Sequence, residues 1–147
     1  MITIRRSQRD EDAATMNHTQ LKKFCSDLPA ATSHLALPPS NILVYSVGEK
    51  NFAWFKTSDP EKWRFSFRVS PERFIELTDM PGIKPARYMA RFHWITIVDV
   101  RNMPEDYLKE LVLWAYEKAL GSLSGKQRKA LLEKHHEVVN KLNKEIK

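Results

Sequence analysis

Glycine is scarce in this sequence, with 4 residues among 147. That leaves little room for the Gly-rich loops that cradle phosphates. Cysteine is scarcer still. Cys25 stands alone, so no internal disulfide can form, which fits a reducing compartment. No apolar run approaches the roughly 18 residues a membrane span needs. The Met1–Arg6 stretch lacks the apolar core of a signal peptide. These absences together lead us to expect a soluble, cytoplasmic protein with no membrane partner.

Signatures of catalysis are missing as well. His18, His34, His93, His135 and His136 do not pair at metal-ligand spacing, and neither HExxH nor Cys-x-x-Cys occurs. No G-x-S-x-G elbow offers a nucleophile. Cys25 falls on the apolar face of its helix, where a thiol behaves as a small hydrophobe. Glu105 and Asp106 sit in a helix's first turn, where the macrodipole accounts for them. The expectation is a protein that is not an enzyme, with no metal, no cofactor and no catalytic residue.

What is present is an ordinary globular composition, 42% hydrophobic and 29% charged, enough for one domain with a real core. The net charge of +6 is unevenly spread. Residues 1–17 are neutral overall and aperiodic, and read as a flexible extension ahead of a single domain at 18–147. Residues 126–147 carry seven Lys or Arg and three acids. A helical run of that kind is ordinarily a solvated face.

Periodicity gives the elements. Leu21, Phe24, Cys25 and Leu28 share one helix face, and Pro29 ends that helix. Residues 30–40 are small and Pro-punctuated and read as a loop. Asn41–Val47 and Asn51–Thr57 form a hairpin around Gly48. Lys62–Val69 alternates cleanly. Trp63, Phe65, Phe67 and Val69 point one way and Lys62, Arg64, Ser66 and Arg68 the other. Ser70-Pro71-Glu72 starts a helix that runs to about Asp79. Pro85–Arg91 is basic and irregular, and His93–Val100 is a strand rich in β-branched residues. A long helix opens at 102–104 and stops at Gly121. Ser124-x-x-Gln127 is a capping box for a last helix whose apolar stripe includes His135. Strands followed by helices predict an α+β fold, an antiparallel sheet with helices on one face and the other face free.

The basic strand is the most informative feature. Segment 62–101 holds eight cations against four acids. Same-face strand neighbours lie roughly 6.6 Å apart, and Tyr88, Phe92 and Trp94 interleave with Arg87 and Arg91. Such a face can grip phosphates and lean on bases or sugars. Equally, Lys and Arg can simply keep an edge strand soluble. Trp54, Trp63, Trp94 and Trp114 mostly occupy inward-pointing positions. Rings there are usually core, although they can also line a small-molecule pocket. Trp94 is expected beneath the last long helix, with Arg87, Arg91 and His93 at the strand's mouth. His93 alternatively caps a backbone carbonyl.

Several of these pieces together resemble the MmcQ/YjbR-like family. They are Pro85-Ala86-Arg87-Tyr88-Met89, His93-Trp94-Ile95-Thr96-Ile97, Met103-Pro104 and Ala115-Tyr116. Upstream stand Leu28-Pro29 and Phe67-Arg68-Val69-Ser70-Pro71-Glu72. The resemblance covers roughly residues 18–133. Ala115 stands where the family often has Ser. The resemblance implies a CyaY-like α+β fold and a "double wing" surface of two β wings that binds double-stranded DNA. On this chain the phosphate-holding residues would be Lys62, Arg64, Arg68, Arg87, Arg91 and His93. A drug-like small-molecule ligand, or a protein partner held on the sheet face, is the alternative.

Overall fold

The structure, a computed structural model, describes the backbone of residues 14–146 and the side chains through residue 137. Helix α1 (His18–Asp27) starts at a capping box. Asn17 Oδ1 accepts from the Gln20 backbone N–H at 2.8 Å, and Gln20 Oε1 accepts from the Asn17 N–H at 3.0 Å. Strands β1 (Ala31–Ala36), β2 (Ile42–Val47) and β3 (Lys50–Lys56) then form a meander. Gly48 turns the β2–β3 hairpin at φ +62, and a Cβ there would meet Leu123 at 3.1 Å. Glycine meets both constraints without strain. Strand β4 (Phe65–Arg68) leads through Ser70 into helix α2 (Pro71–Thr78), where the Ser70 hydroxyl caps the Arg73 N–H at 3.2 Å. Strands β5 (Ile83–Pro85) and β6 (Trp94–Ile97) precede helices α3 (Glu105–Gly121) and α4 (Gly125–Ile146).

The six strands form one antiparallel sheet in the order β1-β2-β3-β4-β6-β5. The fold is α+β, as strands followed by helices predict. Phe55, Phe65, Phe67, Ile95 and Ile97 bury one face of the sheet. Leu21 and Cys25 from α1, Leu77 from α2, and Leu108, Leu111, Val112 and Ala115 from α3 complete this core. Phe52 is the extra residue of a bulge opposite Tyr45 and Ser46, and it turns inward against the Tyr116 ring at 5.5 Å. Tyr116 donates its hydroxyl to the Pro29 carbonyl at 2.6 Å, tying α3 to the α1–β1 turn. His135 Nδ1 accepts from the Ala30 N–H at 3.2 Å, so the expected packing histidine of α4 docks that helix on the same turn.

Several expectations are corrected. Residues 31–36 are an edge strand, where a loop is predicted. Residues 83–85 form a short strand at the other edge. Lys62, Trp63 and Arg64 precede β4 instead of belonging to it. They follow a 3₁₀ turn, Asp59–Glu61, that Pro60 helps to start. Trp94 is buried, but not beneath a helix. Ile95 and Ile97 face the helical core, and Trp94 lies on the opposite face, stacked on Trp54 with ring centroids 4.5 Å apart. The face expected to be free therefore carries its own small apolar cover. Beneath it the Ser66 and Thr96 hydroxyls share a 2.8 Å hydrogen bond. Part of the expected extension is docked as well: Met16 is buried in the core and Thr15 bridges to Pro104. Residues 1–13 of that extension lie outside the described residues. Among the described residues no helix is long and apolar enough to cross a membrane.

Candidate nucleic-acid interface

The six residues predicted to contact phosphates fall into three places. Lys62 and Arg64 stand before β4, where the 3₁₀ turn sets acids beside them. Lys62 Nζ lies 3.8 Å from Asp59, and Arg64 Nε lies 3.7 Å from Glu61. Both pairs are well exposed, so each contributes only about 0–1 kcal/mol. Beside them Arg101 lies over the Trp63 ring at 3.7 Å and holds Asp99 through both carboxylate oxygens at 2.9 and 2.7 Å. Those Arg101 hydrogen bonds push the Asp99 carboxyl below its ordinary range. His18 meets Trp63 edge-on at 4.8 Å. Burial first, then the charges of Lys22, Lys62 and Arg101, lower its pKa from 6.5. This end of the strand is cationic but supplied with its own carboxylates.

Arg68 closes β4 at the other end, paired in register with Trp94. The β5–β6 connection supplies Arg87 and Arg91. It contains a 3₁₀ turn, Ala90–Phe92, and two left-handed residues, Tyr88 at φ +68 and His93 at φ +66. The Arg87 guanidinium lies 5.0 Å from the Tyr88 ring centroid, and that of Arg91 lies 4.7 Å from Phe92. Tyr88 is 81% exposed and Phe92 42%. Among the described residues no carboxylate comes within 4 Å of Arg68, Arg87 or Arg91. His93 does not join this surface. Its ring meets Phe74 of α2 edge-on at 5.6 Å, and it is half-buried.

A groove of about 260 Å³ opens where these pieces meet. Lys50 and Asn51 line it from the start of β3, Arg68 from β4, Met89 and Phe92 from the β5–β6 loop, and Trp94 from β6. Ala115, Lys118, Ala119 and Ser122 from the end of α3 complete it. No carboxylate lines the groove. Lys50 and Lys118 are absent from the sequence-based set because no spacing rule links positions 50, 68 and 118.

A larger cleft of about 470 Å³ lies between α2 and α3, lined by Val69, Ser70, Arg73, Glu110, Leu111, Leu113, Trp114 and Glu117. Its only cation is already engaged. Arg73 donates to the Tyr107 hydroxyl at 2.9 Å and approaches Glu76 and Glu110 at 3.6 and 3.8 Å. Trp114 is on the outer side of α3 and 36% exposed, not inward. Cys25 is fully buried, which raises its thiol pKa to about 12. Among the described residues no three His, Cys, Asp or Glu side chains gather as a metal site would require.

Among the solved structures that share the fold are one from Deinococcus radiodurans and one from Pseudomonas syringae. A Deinococcus radiodurans protein, DR2400, described as carrying the domain DUF419, superposes with a TM-score of 0.69 at 24% identity. The alignment covers 80% of this chain and 88% of that one. A Pseudomonas syringae protein, a Northeast Structural Genomics Consortium target, superposes with a TM-score of 0.59 at 19% identity, over 71% of this chain and 99% of that one. No curated protein matches the chain. The family model YjbR matches residues 26–118, a span that takes in β1 to β6, both hairpins and nearly all of α3. With that match extending over more than half of its length, the chain belongs to the YjbR family.

Proposed function

We propose that this protein binds DNA, without catalysis, through the cationic end of its sheet. Arg68, Arg87 and Arg91 hold phosphates there, with Lys50 and Lys118 beside them. The β2–β3 and β5–β6 hairpins stand on the two sides of the groove as a pair of wings. The observation that carries this reading is charge without compensation. Arg68, Lys50 and Lys118 line the groove with no carboxylate among its described lining, Arg87 and Arg91 stand on the β5–β6 connection that forms one of its walls, and none of the three arginines has a carboxylate within 4 Å among the described residues. A surface built only for solubility would interleave both signs, as the other end of β4 does. Lys62 and Arg64 keep a secondary place, since their exposed pairs cost little to exchange for a phosphate. His93 leaves the set, because its ring packs against Phe74.

The test is fluorescence anisotropy with labelled DNA across a salt series. Binding should weaken linearly on a log–log plot, with a slope of about 0.9 per duplex phosphate neutralised. Binding indifferent to salt would overturn the reading. Phosphate contacts alone do not distinguish duplex from single strand, so both are tried.

A second reading has one observation in its favour. The α2–α3 cleft, at about 470 Å³, falls within the roughly 300–1,000 Å³ typical of small-ligand sites and exposes Trp114 and Leu113. A planar, drug-like compound seated there should change tryptophan fluorescence in a way that salt leaves untouched. Trp114→Phe would abolish that signal.

A further inference from the structure

Resting on the DNA reading above, we infer that the groove and its rim take single-stranded DNA, receiving unpaired bases as well as phosphates. The rings of this region are the reason. A surface that met only a sugar-phosphate backbone would need cations and small donors. This one exposes Tyr88 and Phe92, and each ring carries an arginine over its plane. Exposed large rings are the less common state for such side chains, and a guanidinium–ring pair is a flat surface on which a base can stack.

The backbone points the same way. Tyr88 is held at φ +68 and His93 at φ +66, a region uncommon for residues with a Cβ. Strain of that kind concentrates where a loop must aim its side chains. Tyr88 and Phe92 are the two rings that the strained loop turns outward.

The groove's shape and lining complete the argument. At about 260 Å³ it is below the size of a drug-sized cleft. Phe92 supplies an exposed ring beside the buried Trp94, Asn51 supplies an amide whose Oδ1 accepts from the Ser46 hydroxyl at 2.7 Å and whose NH2 can donate, and Lys50, Arg68 and Lys118 add positive charge. That combination of stacking platform, polar edge reader and cationic rim suits one flat heterocycle with its phosphate. In a duplex the base faces are hidden and only their edges are offered. In an unpaired strand the faces are free.

The experiment compares three fluorescein-labelled probes of about 20 nucleotides: oligo(dT), an abasic single strand with the same phosphates, and a duplex. Each is titrated with the full chain by anisotropy at several salt concentrations. Oligo(dT) should bind at least tenfold more tightly than either of the others. Tyr88→Ala and Phe92→Ala should each weaken oligo(dT) binding by about 5- to 150-fold, the range expected for one base–ring stack. Both variants should weaken duplex binding far less and leave the salt slope unchanged, and Tyr88→Ala, at an 81% exposed ring, should leave the urea midpoint unchanged, which separates a lost stack from a lost fold. A duplex bound as tightly as oligo(dT), or an abasic strand bound equally well, would overturn the single-strand inference while leaving DNA binding in place. No salt-sensitive binding to any probe would overturn both.

Discussion

The two ends of strand β4 carry the same kind of charge in opposite circumstances. Before the strand, Lys62 and Arg64 sit three residues from Asp59 and Glu61, and Arg101 is locked onto Asp99. After it, Arg68 looks onto a groove whose other cations, Lys50 and Lys118, come from different elements and whose lining has no acid. Each end also has a tryptophan behind it. Trp63 is half-buried between His18 and Arg101, and Trp94 is buried against Trp54. Cations near a strand therefore signal a partner only when the chain has not already provided their counter-ions. The chain provides them locally, by a tight turn, at one end and withholds them at the other.

The largest expected difference between the ends lies in their tryptophans. Trp94→Ala removes a stacked, 5% exposed ring and should cost about 3–5 kcal/mol in urea denaturation. Trp63→Ala should cost clearly less, because part of that ring is already in water. Equal losses would mean that the open face of the sheet is supported from both ends alike. Next comes charge. Arg68→Glu with Arg91→Glu should lower DNA affinity by roughly a hundredfold and reduce the salt slope by about two. Lys62→Glu with Arg64→Glu should change affinity by less than about fivefold, since those cations are already shared with carboxylates. If the two double variants behave alike, the contrast between free and compensated charge has no functional meaning.

Why the sequence reveals one end more readily than the other is a matter of where the physical signal is stored. Phe65, Phe67 and Val69 alternate against the core, and all three are buried as their spacing predicts. The same alternation runs on past the end of the strand into Trp63 and Lys62, because Trp63 is half-buried by contacts that have nothing to do with a sheet. Strand β1 gives no periodic signal because the four residues at its middle are all exposed, and pairing with β2 alone defines it. Strand β5 is three residues long and ends in Pro85, which an edge position tolerates and a pattern search passes over. The helices are legible because caps and stripes are local: Ser70 with Pro71, and Ser124 with Gln127, act within one turn. The groove is not local. Lys50, Arg68 and Lys118 become neighbours only after the sheet has formed and α3 has crossed it. The side of the sheet that Trp94 takes is hidden for a related reason: alternation tells which residues share a face, not which face the helices choose.

A smaller effect probes what lies under the Trp54–Trp94 cover. Ser66→Ala leaves the half-buried Thr96 hydroxyl without its 2.8 Å partner and should cost about 1 kcal/mol. Replacing both hydroxyls together, Ser66→Ala with Thr96→Val, should cost less than the sum of the single changes, since no orphaned donor remains. Additive losses in urea denaturation would indicate that the two hydroxyls do not in fact satisfy one another.

The smallest expected effect is confined to the compensated end and is read through pH. His18 has its Nδ1 buried without a hydrogen-bond partner among the described residues, and burial together with Lys22, Lys62 and Arg101 lowers its pKa from 6.5. A histidine whose pKa is lower folded than unfolded takes up its proton more readily when unfolded. Its contribution to stability is therefore complete above pH 6.5 and declines as the pH falls below that value. The urea midpoint should accordingly drop on acidification from pH 7 to pH 5, before the carboxylates begin to protonate. Asp99 adds a second, more acidic loss: its pKa is lowered from 3.8, so its contribution to stability is complete above pH 3.8 and declines as the pH falls below that value. His18→Phe keeps a ring against Trp63 and removes the titration, so its midpoint should stay flatter over the pH 7 to 5 interval. If wild type and variant decline in parallel, neither burial nor the cations around Trp63 hold the His18 pKa down.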